Sequence, residues 1–423
     1  MLDFVDFDEK YLIRPADSNP VLRKTVQEIV EDVKKRGDAA LYDYASRFDG
    51  GVDSLFVSSD EIEASVSQVS DELKAAIDNA MANIRKFHEA EMPEGEVVET
   101  AEGVVCSRRI VPIERCGLYV PGGTAPLVST VLMLAVPASI AGCREIILAT
   151  PAKNNKVDPA ILYAARQAGV TRILKSGGAQ AIAAMAYGTE SVPRCFKLFG
   201  PGNSFVAEAK KIVSADVAID MVAGPSEVMV VIDGTSDPEY AASDLLSQAE
   251  HGKDSQSMLV IRAESREEAE AIYDKVREAV DNELAVIGRH EYMLPSLSHS
   301  YAFPVYSDED AVRIVNSYAP EHLIINTENP DAILDGVENA GSIFLGPYSP
   351  ESAGDYASGT NHTLPTSGWV VSSSGVSVDS FIKKITVQRL TKKGLENISG
   401  SVLRLSEAEG LRAHGYAVEV RLK

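Results

Sequence analysis

The spacing of apolar positions changes along the chain and divides it into regions. Between residues 20 and 92, apolar residues recur every three or four positions, which predicts amphipathic helices. From 116 to 233, short apolar runs such as CGLYV, EIILAT and FKLFG alternate with amphipathic segments such as DPAILYAARQAG, and the alternation repeats from 237 to 346. Such alternation is typical of βαβ units. We therefore predict two α/β regions, each built on a parallel sheet.

The second α/β region and the tail have distinct patterns. In the second region we predict strands at MLVI, YAFPVY, HLIIN and SIFLG, with helices over 265–283 and 308–318. The tail after residue 375 contains KKITVQRLT and then the helical stretch GLENISGSVLRLSEAEGLRAH, and it ends in AVEVRLK, which has the pattern of a strand. We expect this tail to be an appendage and not a core.

Composition narrows the class of protein. With 423 residues, 45% of them hydrophobic, the chain is long enough to form two or more buried cores. A net charge of −22 repels nucleic acid and anionic membranes, so we expect small-molecule chemistry and neither of those partners. No secretory signal or long apolar span is visible, and no CxxC pair occurs, which indicates free thiols in a reducing compartment. We therefore expect a cytoplasmic protein. The four cysteines are Cys106, Cys116, Cys143 and Cys195.

Three glycine-rich turns follow predicted strands of the first α/β region, namely VPGGTAP at 120–126, SGGAQ at 176–180 and FGPGN at 199–203. Glycines at such turns let backbone amides approach an anion at a helix N-terminus. None of the turns matches GxGxxG, and each is equally explained as a tight turn that needs a positive φ. Three turns at one sheet edge favour a bound ligand.

The segment SQAEHG places Gln248 and His251 three positions apart near a helix end, so both side chains can reach one ion. Taken alone, the pair is explained equally well as the cap of a frayed helix. Asp355 and His362 lie in the small-residue loop PESAGDYASGTNHTLPTSG, and His414 lies in EGLRAH. Glutamine, histidine and aspartate form a ligand set that suits zinc and leaves positions open for a substrate.

The segment YAPEHL contains Glu321 and His322 at the start of a predicted strand, after a helix that Pro320 ends. A histidine titrates near neutral pH, and a neighbouring carboxylate raises its basicity, so the two side chains are candidate general bases. The alternative is an ion pair on the surface at the start of a strand. Cys116 is a candidate nucleophile, but a small apolar strand residue explains it better.

Seven segments together resemble histidinol dehydrogenase, in the same order and over essentially the whole chain. They are LYVPGGTAPLVSTVLMLAVPASIAGC, GGAQAIAA, GPGN, AGPSEV, SQAEHGKDSQ, YAPEHL and PESAGDYASGTNHTLPT. The resemblance implies a four-electron oxidation of L-histidinol through L-histidinaldehyde to L-histidine, the last two steps of histidine biosynthesis. It also implies two NAD and one zinc per active site.

The resemblance assigns roles to particular residues. Glu321 and His322 match the catalytic pair, the histidine as general base and the glutamate as activator of water. The positions that match zinc ligands are Gln248, His251, Asp355 and His414, and one ligand of each site comes from the partner subunit. The positions that match substrate-binding residues are Ser226, Gln248, His251, His322, Asp355, His362, Glu409 and His414. The positions that match NAD-binding residues are Tyr119, Gln180 and Asn203. Glu250 is expected to orient the metal ligands.

The resemblance further implies an α/β fold with two incomplete Rossmann-like domains, two small appended domains and an intertwined homodimer. We expect a small N-terminal segment at 1–19, a discontinuous first Rossmann-like domain at 20–118 with 227–375, a second at 119–226, and a small C-terminal domain at 376–423. The stretch 289–300 and Cys116 depart from the family pattern without touching a matched site residue.

Three alternatives remain open from the residues. A related dehydrogenase would oxidise another amino alcohol or a diol by the same route, although Ser226, His362 and Glu409 favour histidinol. A zinc hydrolase would use Glu321 to activate metal-bound water, but the turns predicted to bind NAD would then have no role. A dimeric binding protein without catalysis is disfavoured by the complete catalytic pair.

Overall fold

The computed structural model describes residues 2–14, 20–122, 126–222 and 224–423. The turn predicted at 120–126 therefore falls partly outside the described residues, as do the end of the N-terminal segment and Ala223 of the AGPSEV motif. Helices alternate with parallel strands through most of the described chain, which confirms the predicted mixed α/β class. No described helix is long and apolar enough to cross a membrane.

The strands in chain order are β1 Asp3–Phe4, β2 Val97–Ala101, β3 Val104–Pro112, β4 Arg115–Tyr119, β5 Glu145–Thr150, β6 Arg172–Lys175, β7 Lys197–Phe199, β8 Ala218–Ile219, β9 Glu227–Ile232, β10 Gln256–Arg262, β11 Tyr301–Val305, β12 His322–Asn326, β13 Ser342–Leu345 and β14 Ile382–Leu390. The α-helices are α1 Pro20–Arg36, α2 Asp38–Phe48, α3 Ser59–Gln68, α4 Asp71–Ala90, α5 Val128–Ala141, α6 Pro159–Gln167, α7 Gly178–Tyr187, α8 Ser204–Val213, α9 Pro238–Ala249, α10 Arg266–Ile287, α11 His290–Leu297, α12 Asp308–Tyr318, α13 Pro330–Leu334, α14 Glu351–Tyr356, α15 Lys392–Ala408 and α16 Arg412–Leu422. Three predicted elements have the same bounds in the structure. They are the strand EIILAT, which is β5, the strand HLIIN, which is β12, and the helix 308–318, which is α12.

A six-stranded parallel sheet has the order β1-β11-β10-β9-β12-β13. Successive residues of its central strands point to two separate cores, so both faces are covered, as parallel sheets require. Strand order reverses between β9 and β12, because β10 and β11 lie on one side of β9 and β12 and β13 on the other. The N-terminal segment supplies the edge strand β1.

A five-stranded parallel sheet has the order β6-β5-β4-β7-β8, with its own reversal between β4 and β7. At this reversal Gly200 has φ +115° and lies against the backbone of Tyr119 so closely that a Cβ would collide with the Tyr119 carbonyl oxygen. A glycine is therefore needed where β7 passes β4. The two parallel sheets agree with the Rossmann-like architecture expected from the resemblance.

The first helices pack in a way that differs from the expected grouping of 20–118 with 227–375. Helices α1 and α2 bury Val26, Val30 and Leu41 against one face of the five-stranded sheet. Helix α4 buries Ile77 and Ile84 against the opposite face. The buried stripes of these helices thus belong to the cores of the five-stranded sheet, of which β4 is a central strand. The domain boundaries themselves stay a prediction.

The C-terminal tail contains one correction. Strand β14 pairs antiparallel with β3, which also pairs with β2, and helices α15 and α16 follow as a hairpin. All but the last residue of the final AVEVRLK lie in α16, so the predicted strand is wrong there. Gly415 brings α16 close to Ser406 of α15, since a Cβ at Gly415 would lie 2.7 Å from the Ser406 Oγ. Packing against a preceding helix has overridden a short alternating pattern.

Two departures from the family pattern can now be placed. The stretch 289–300 contains helix α11 with Pro295 inside it. Cys116 is fully buried in β4, as a small apolar strand residue would be. All four cysteines are free, as expected, although only Cys116 and Cys195 are buried and the other two are half-buried.

Candidate active site

Glu321 and His322 lie at the point where the strand order of the six-stranded sheet reverses. Helix α12 ends at Tyr318, Ala319 turns the chain with φ +53°, and β12 begins at His322 beside Val228 of β9. Both side chains are buried, with residue exposures of 5% and 3%. The site lies at the amino ends of these strands, whereas ligands of open α/β sheets more often bind at the carboxyl ends.

The backbone of Glu227, the first residue of β9, supports both side chains of the catalytic pair. Its N–H donates to Oε2 of Glu321 at 2.9 Å, and its carbonyl oxygen lies 3.2 Å from Nδ1 of His322. A carbonyl oxygen only accepts, so the proton of the neutral imidazole is assigned to Nδ1. Nε2 therefore carries the lone pair. It is buried and has no hydrogen-bond partner among the described residues.

The end of helix α9 brings Gln248 and His251 to this edge of the sheet. The Gln248 amide and Nδ1 of His251 are 3.4 Å apart. The amide orientation that satisfies its surroundings has its nitrogen donating to both carboxylate oxygens of Glu351, at 2.8 and 3.2 Å. This orientation turns the carbonyl oxygen of Gln248 towards His251. A carbonyl oxygen and an imidazole nitrogen so close together form half of a metal-binding set.

Helix α14 and the loop after it supply the other side. Asp355 Oδ1 lies 3.7 Å from Nε2 of His322, and Glu351 Oε1 lies 3.4 Å from Nδ1 of the same ring. His322, Glu351 and Asp355 each offer a ligand atom, and these atoms lie within 4.8 Å of one another. His362 places its Nδ1 2.9 Å from the Asp355 carbonyl oxygen and its Nε2 3.3 Å from Oγ1 of Thr130 in α5. The site thus touches the helix that follows β4.

Burial controls the protonation of these groups. Desolvation lowers the pKa of His322 to about 3, with a further contribution from His251 and His362, so its imidazole is neutral and can accept a proton. Desolvation also raises the pKa of Glu321 and Glu351 well above the usual range and that of Asp355 to about 6. Carboxyl groups that are crowded and buried in this way are suited to a divalent cation, because its charge restores their ionised form.

The residues therefore fit the expected zinc. Gln248, His251 and Asp355 present oxygen and nitrogen ligands from two elements at one place, and the partnerless lone pair of His322 faces the same space. Three ligands from one subunit leave a coordination position for the fourth expected ligand, which is to come from the partner subunit. Glu351 was not predicted from the sequence as a residue of the site. Its spacing of four residues from Asp355, on one helix, was the signal available. Glu351 contacts Gln248, whereas the ion pair of Glu250 is with Arg289 at 3.9 Å. The role expected for Glu250 stays a prediction.

The residues expected to bind NAD lie together at the carboxyl edge of the five-stranded sheet. Tyr119 ends β4 and accepts a hydrogen bond from the Gly178 N–H at 3.0 Å. Gln180 lies in the first turn of α7 and is buried, and Asn203 caps α8 through the N–H groups of Phe205 and Val206. The N-terminus of α8 thus lies at the reversal of strand order, where α/β sheets bind dinucleotides, and that of α7 contacts the Tyr119 side chain at the end of β4.

A cavity of about 550 Å³ adjoins this edge at the end of β5. Gly122, Thr150 and Pro151 line it from the strand ends, and Lys153 and Lys156 lie at its rim. Its volume is in the range of small-molecule sites.

Three remaining candidates lie outside this cluster or at its margin. Ser226 directly precedes β9 and is half-buried, with its carbonyl oxygen accepting from the Gln256 N–H. Glu409 and His414 lie at the junction of α15 and α16, where both are exposed. Neither side chain makes a hydrogen bond or ion pair within the described chain. The structure of one subunit therefore does not bring them to the site.

Comparison with known proteins agrees with this geometry. The family model for histidinol dehydrogenase matches residues 12–422. The chain belongs to the histidinol dehydrogenase family. A histidinol dehydrogenase of Bacteroides thetaiotaomicron is 52% identical over 414 residues, covering 97% of this chain and 95% of that protein. One from Xanthomonas campestris pv. campestris strain 8004 is 51% identical, covering 95% and 92%.

A solved structure gives the same result. The crystal structure of histidinol dehydrogenase from Elizabethkingia anophelis matches with a TM-score of 0.95 and 47% identity, covering 100% of this chain and 98% of that one. The resemblance seen in the sequence motifs is thus confirmed. As a member of the histidinol dehydrogenase family, the chain is an enzyme, an oxidoreductase of histidine biosynthesis.

Proposed function

We propose that this enzyme oxidises L-histidinol through L-histidinaldehyde to L-histidine in two successive NAD-dependent steps. The observation that carries the proposal is the buried, partnerless Nε2 of His322, next to Glu321 and facing Gln248, His251 and Asp355. A neutral base, a carboxyl group and a set of metal ligands are what a four-electron oxidation of an amino alcohol needs in one place.

In the first oxidation, Nε2 of His322 accepts the proton of the substrate hydroxyl group. The carbon that bears this hydroxyl group loses a hydride to NAD. The Nδ1–H of His322 remains hydrogen-bonded to the Glu227 carbonyl oxygen, which holds the ring in the tautomer with Nε2 free. The depressed pKa keeps His322 unprotonated before the reaction, so the base is ready at neutral pH. The product of this step is the aldehyde.

Before the second oxidation, His322 releases its proton to solvent. Water then adds to the aldehyde carbon, and Glu321 accepts a proton from the attacking water, in the ionised form that a divalent cation in the site would favour. The resulting hydrate anion loses its remaining hydroxyl proton to His322 and a hydride from carbon to NAD, which gives the carboxylate. Glu321 is oriented for this task by the Glu227 N–H and lies 3.7 Å from His322 Nδ1. The two bases therefore act on one carbon from adjacent positions.

Two bound groups complete the chemistry. NAD, near Tyr119, Gln180 and Asn203, supplies the hydride acceptor of each step. Zinc would be held by Gln248, His251, Asp355 and His414 of the partner subunit, and it would supply a fixed anchor for the imidazole and amine of the substrate. His362 and Ser226, with Glu409 of the partner subunit, bind the substrate. A biosynthetic role of this kind also supports a cytoplasmic location.

The homodimer is part of the proposal, with the C-terminal domain of each subunit reaching the site of the other. Its support is the apolar surface that one subunit leaves exposed on the three-stranded sheet and the last two helices. The side chains concerned are Val97, Val98, Ile385, Val387, Leu405, Leu411, Tyr416 and Val420. Exposure of Glu409 and His414 on the same unit fits a role across the interface.

The proposal is tested by following NADH and histidine formation with purified enzyme, L-histidinol, NAD and zinc. We expect two NADH per histidine, loss of activity after chelation and recovery with zinc. Absence of NADH in zinc-loaded enzyme would contradict the assigned substrate, and other amino alcohols would then be tried under the same conditions. Cleavage of ester or amide substrates without any NAD binding would instead indicate a hydrolase.

A further inference from the structure

Arg14, in the N-terminal segment, is the side chain of interest outside the site. Its guanidinium group makes a bidentate pair with the carboxylate of Glu227, with Nε 2.5 Å from Oε1 and Nη2 2.9 Å from Oε2. The Glu227 side chain is only 2% exposed and that of Arg14 is 21% exposed. A bidentate arginine pair fixes both partners in direction as well as in distance.

The same guanidinium group also holds the turn that leads into the catalytic pair. Nη2 donates to the carbonyl oxygens of Tyr318 and Ala319 at 2.6 and 3.2 Å, and the guanidinium carbon lies 4.2 Å from the centre of the Tyr318 ring. Ala319 has φ +53°, a conformation that an alanine adopts only when its surroundings impose it. Glu321 and His322 are the second and third residues after this turn.

Arg14 therefore fixes the two pieces of backbone that carry the catalytic pair. One piece is Glu227, whose N–H and carbonyl oxygen are the hydrogen-bond partners of Glu321 and His322. The other is the turn at 318–319. The Ser367 N–H donates to Oε1 of Glu227 at 2.8 Å and adds a third support to the same carboxylate.

We propose that Arg14 and Glu227 are positioning residues: the pair aligns Glu321 with the water that attacks the aldehyde and holds His322 with Nε2 free. The roles of Glu321 and His322 rest on the function proposed above. The alignment itself rests on hydrogen bonds that exist in the free enzyme. The N-terminal segment is thus part of the catalytic support, although Arg14 touches no reacting atom.

The test compares Arg14→Ala and Arg14→Lys with Arg266→Ala. Arg266, the first residue of α10, also holds the N-terminal segment, through Asp6 at 2.5 Å, but its side chain is exposed and makes no recorded contact with Glu227. We expect Arg14→Ala to lower kcat by about 10- to 100-fold, with KM for histidinol and zinc content changed by less than about twofold, because alignment and not binding is lost. Arg14→Lys retains a charge without the bidentate geometry and is expected to fall between Arg14→Ala and the unmodified enzyme.

Two further measurements separate positioning from a general structural effect. Guanidinium ion at low concentration should restore part of the activity of Arg14→Ala and none to Arg266→Ala. With L-histidinaldehyde as the substrate, the loss of kcat in Arg14→Ala should be at least as large as with L-histidinol, because Glu321 acts only in the second oxidation. Equal loss in Arg266→Ala, a matching loss of zinc, or unchanged kcat in both Arg14 variants would overturn the proposal.

A readout independent of turnover keeps the two proposals distinguishable. With histidines labelled by nitrogen-15, the His322 signals can be assigned among seven histidines by their absence in His322→Ala. We expect a single Nδ1–H tautomer in the unmodified enzyme and a mixture of tautomers in Arg14→Ala. This result would support positioning even if histidinol were not the substrate. An unchanged tautomer in Arg14→Ala would overturn the proposal even in an enzyme that oxidises histidinol.

Discussion

His322 acts as a base because of how it is partnered. Backbone oxygen at Nδ1 sets the tautomer, and burial without a partner at Nε2 leaves a lone pair that nothing else in the described chain satisfies. An unsatisfied buried polar atom costs stability, so its presence indicates a functional requirement. A histidine selected for packing alone would have both nitrogens paired.

From this we expect His322→Ala to lose most turnover, by about 100-fold or more, because the unpaired Nε2 that accepts the hydroxyl proton is lost. Zinc binding should persist, since His322 is not among the assigned ligands. The measurement is steady-state NADH formation together with metal analysis of the same preparation. His414→Ala is the matched comparison and should lose metal as well as activity. Full activity in His322→Ala would remove this residue from the mechanism.

Asp244 in α9 gives a prediction about stability. Burial, and then repulsion from Glu283, raises the pKa of Asp244 to about 7. A carboxyl group with a higher pKa in the folded chain than in the unfolded chain costs stability once it ionises, so the cost grows as the pH rises from about 4 to about 7. We expect Asp244→Asn to raise the free energy of unfolding by on the order of 3 kcal/mol at about pH 8.

The pH dependence is the sensitive part of this test. The gain in Asp244→Asn should shrink steadily as the pH is lowered from about 7 to about 4 and should vanish below that, where Asp244 is protonated in both states. Asp274→Asn on the exposed face of α10 is the control and should change stability by less than about 0.5 kcal/mol at any pH. Denaturant unfolding at several pH values provides the comparison. A gain independent of pH would mean that ionisation of Asp244 is not the cause.

Individual site residues were predictable from the sequence only where they lie in a recognisable motif. Glu321, His322, Gln248 and His251 lie in such motifs, and the structure brings all four together. Glu351 was missed because a glutamate at the start of a short helix resembles any helix-starting acid. Its importance comes from burial and from contacts with Gln248 and His322, which depend on tertiary packing.

At the scale of elements, the strands and helices of the parallel sheets followed their patterns closely. Buried parallel strands are continuous apolar runs bounded by turn residues, and this signal survives without any knowledge of neighbours. AVEVRLK failed because three alternating apolar residues fit a strand and a helix face about equally well. Packing of α16 on α15 decided between them.

Gly200 allows a test at the scale of elements, because a Cβ at this residue would collide with the backbone of Tyr119 at the end of β4. We expect Gly200→Ala to destabilise the fold by about 1–3 kcal/mol beyond the cost of its positive φ, since the carbonyl oxygen of Tyr119 must move. Displacement of Tyr119 should also weaken NAD binding. Gly288→Ala is the control: it has φ +82° in open space and should cost only about 1 kcal/mol.

Thermal unfolding and NAD titration of both glycine variants provide the measurement. Equal destabilisation of Gly200→Ala and Gly288→Ala would show that backbone strain alone matters at both positions. Unchanged NAD affinity in a folded Gly200→Ala would contradict the assignment of the coenzyme to the β4–β7 reversal.

At the scale of the whole molecule, sequence patterns did not show which helices cover which sheet. Helices α1 to α4 precede β4 and were expected to join residues 227–375, yet their apolar stripes pack on the five-stranded sheet. Amphipathic periodicity shows that a helix has a buried face, but the partner of that face depends on shape and chain path. The same limit applies to α15 and α16, whose apolar residues Leu405, Leu411 and Val420 stay exposed in the part of the chain that the structure describes.

The intertwined dimer predicts a specific pattern of complementation between two inactive variants. If His414 acts across the interface, a heterodimer of His322→Ala and His414→Ala subunits contains one site with both defects and one with neither. We therefore expect it to have about half the activity of the unmodified dimer, because symmetry gives two equivalent sites. Differently tagged subunits, expressed together and purified through both tags, provide the heterodimer.

If His414 instead served its own subunit, each site of the heterodimer would carry one defect, and activity would stay at the level of the parent variants. The parent homodimers, purified in the same way, are the controls for residual activity. A heterodimer of Gln248→Ala and His322→Ala tests the reverse case, since both residues lie in the same site of one subunit. One site of that heterodimer lacks Gln248 and the other lacks His322. Neither site is complete, so the heterodimer should remain inactive.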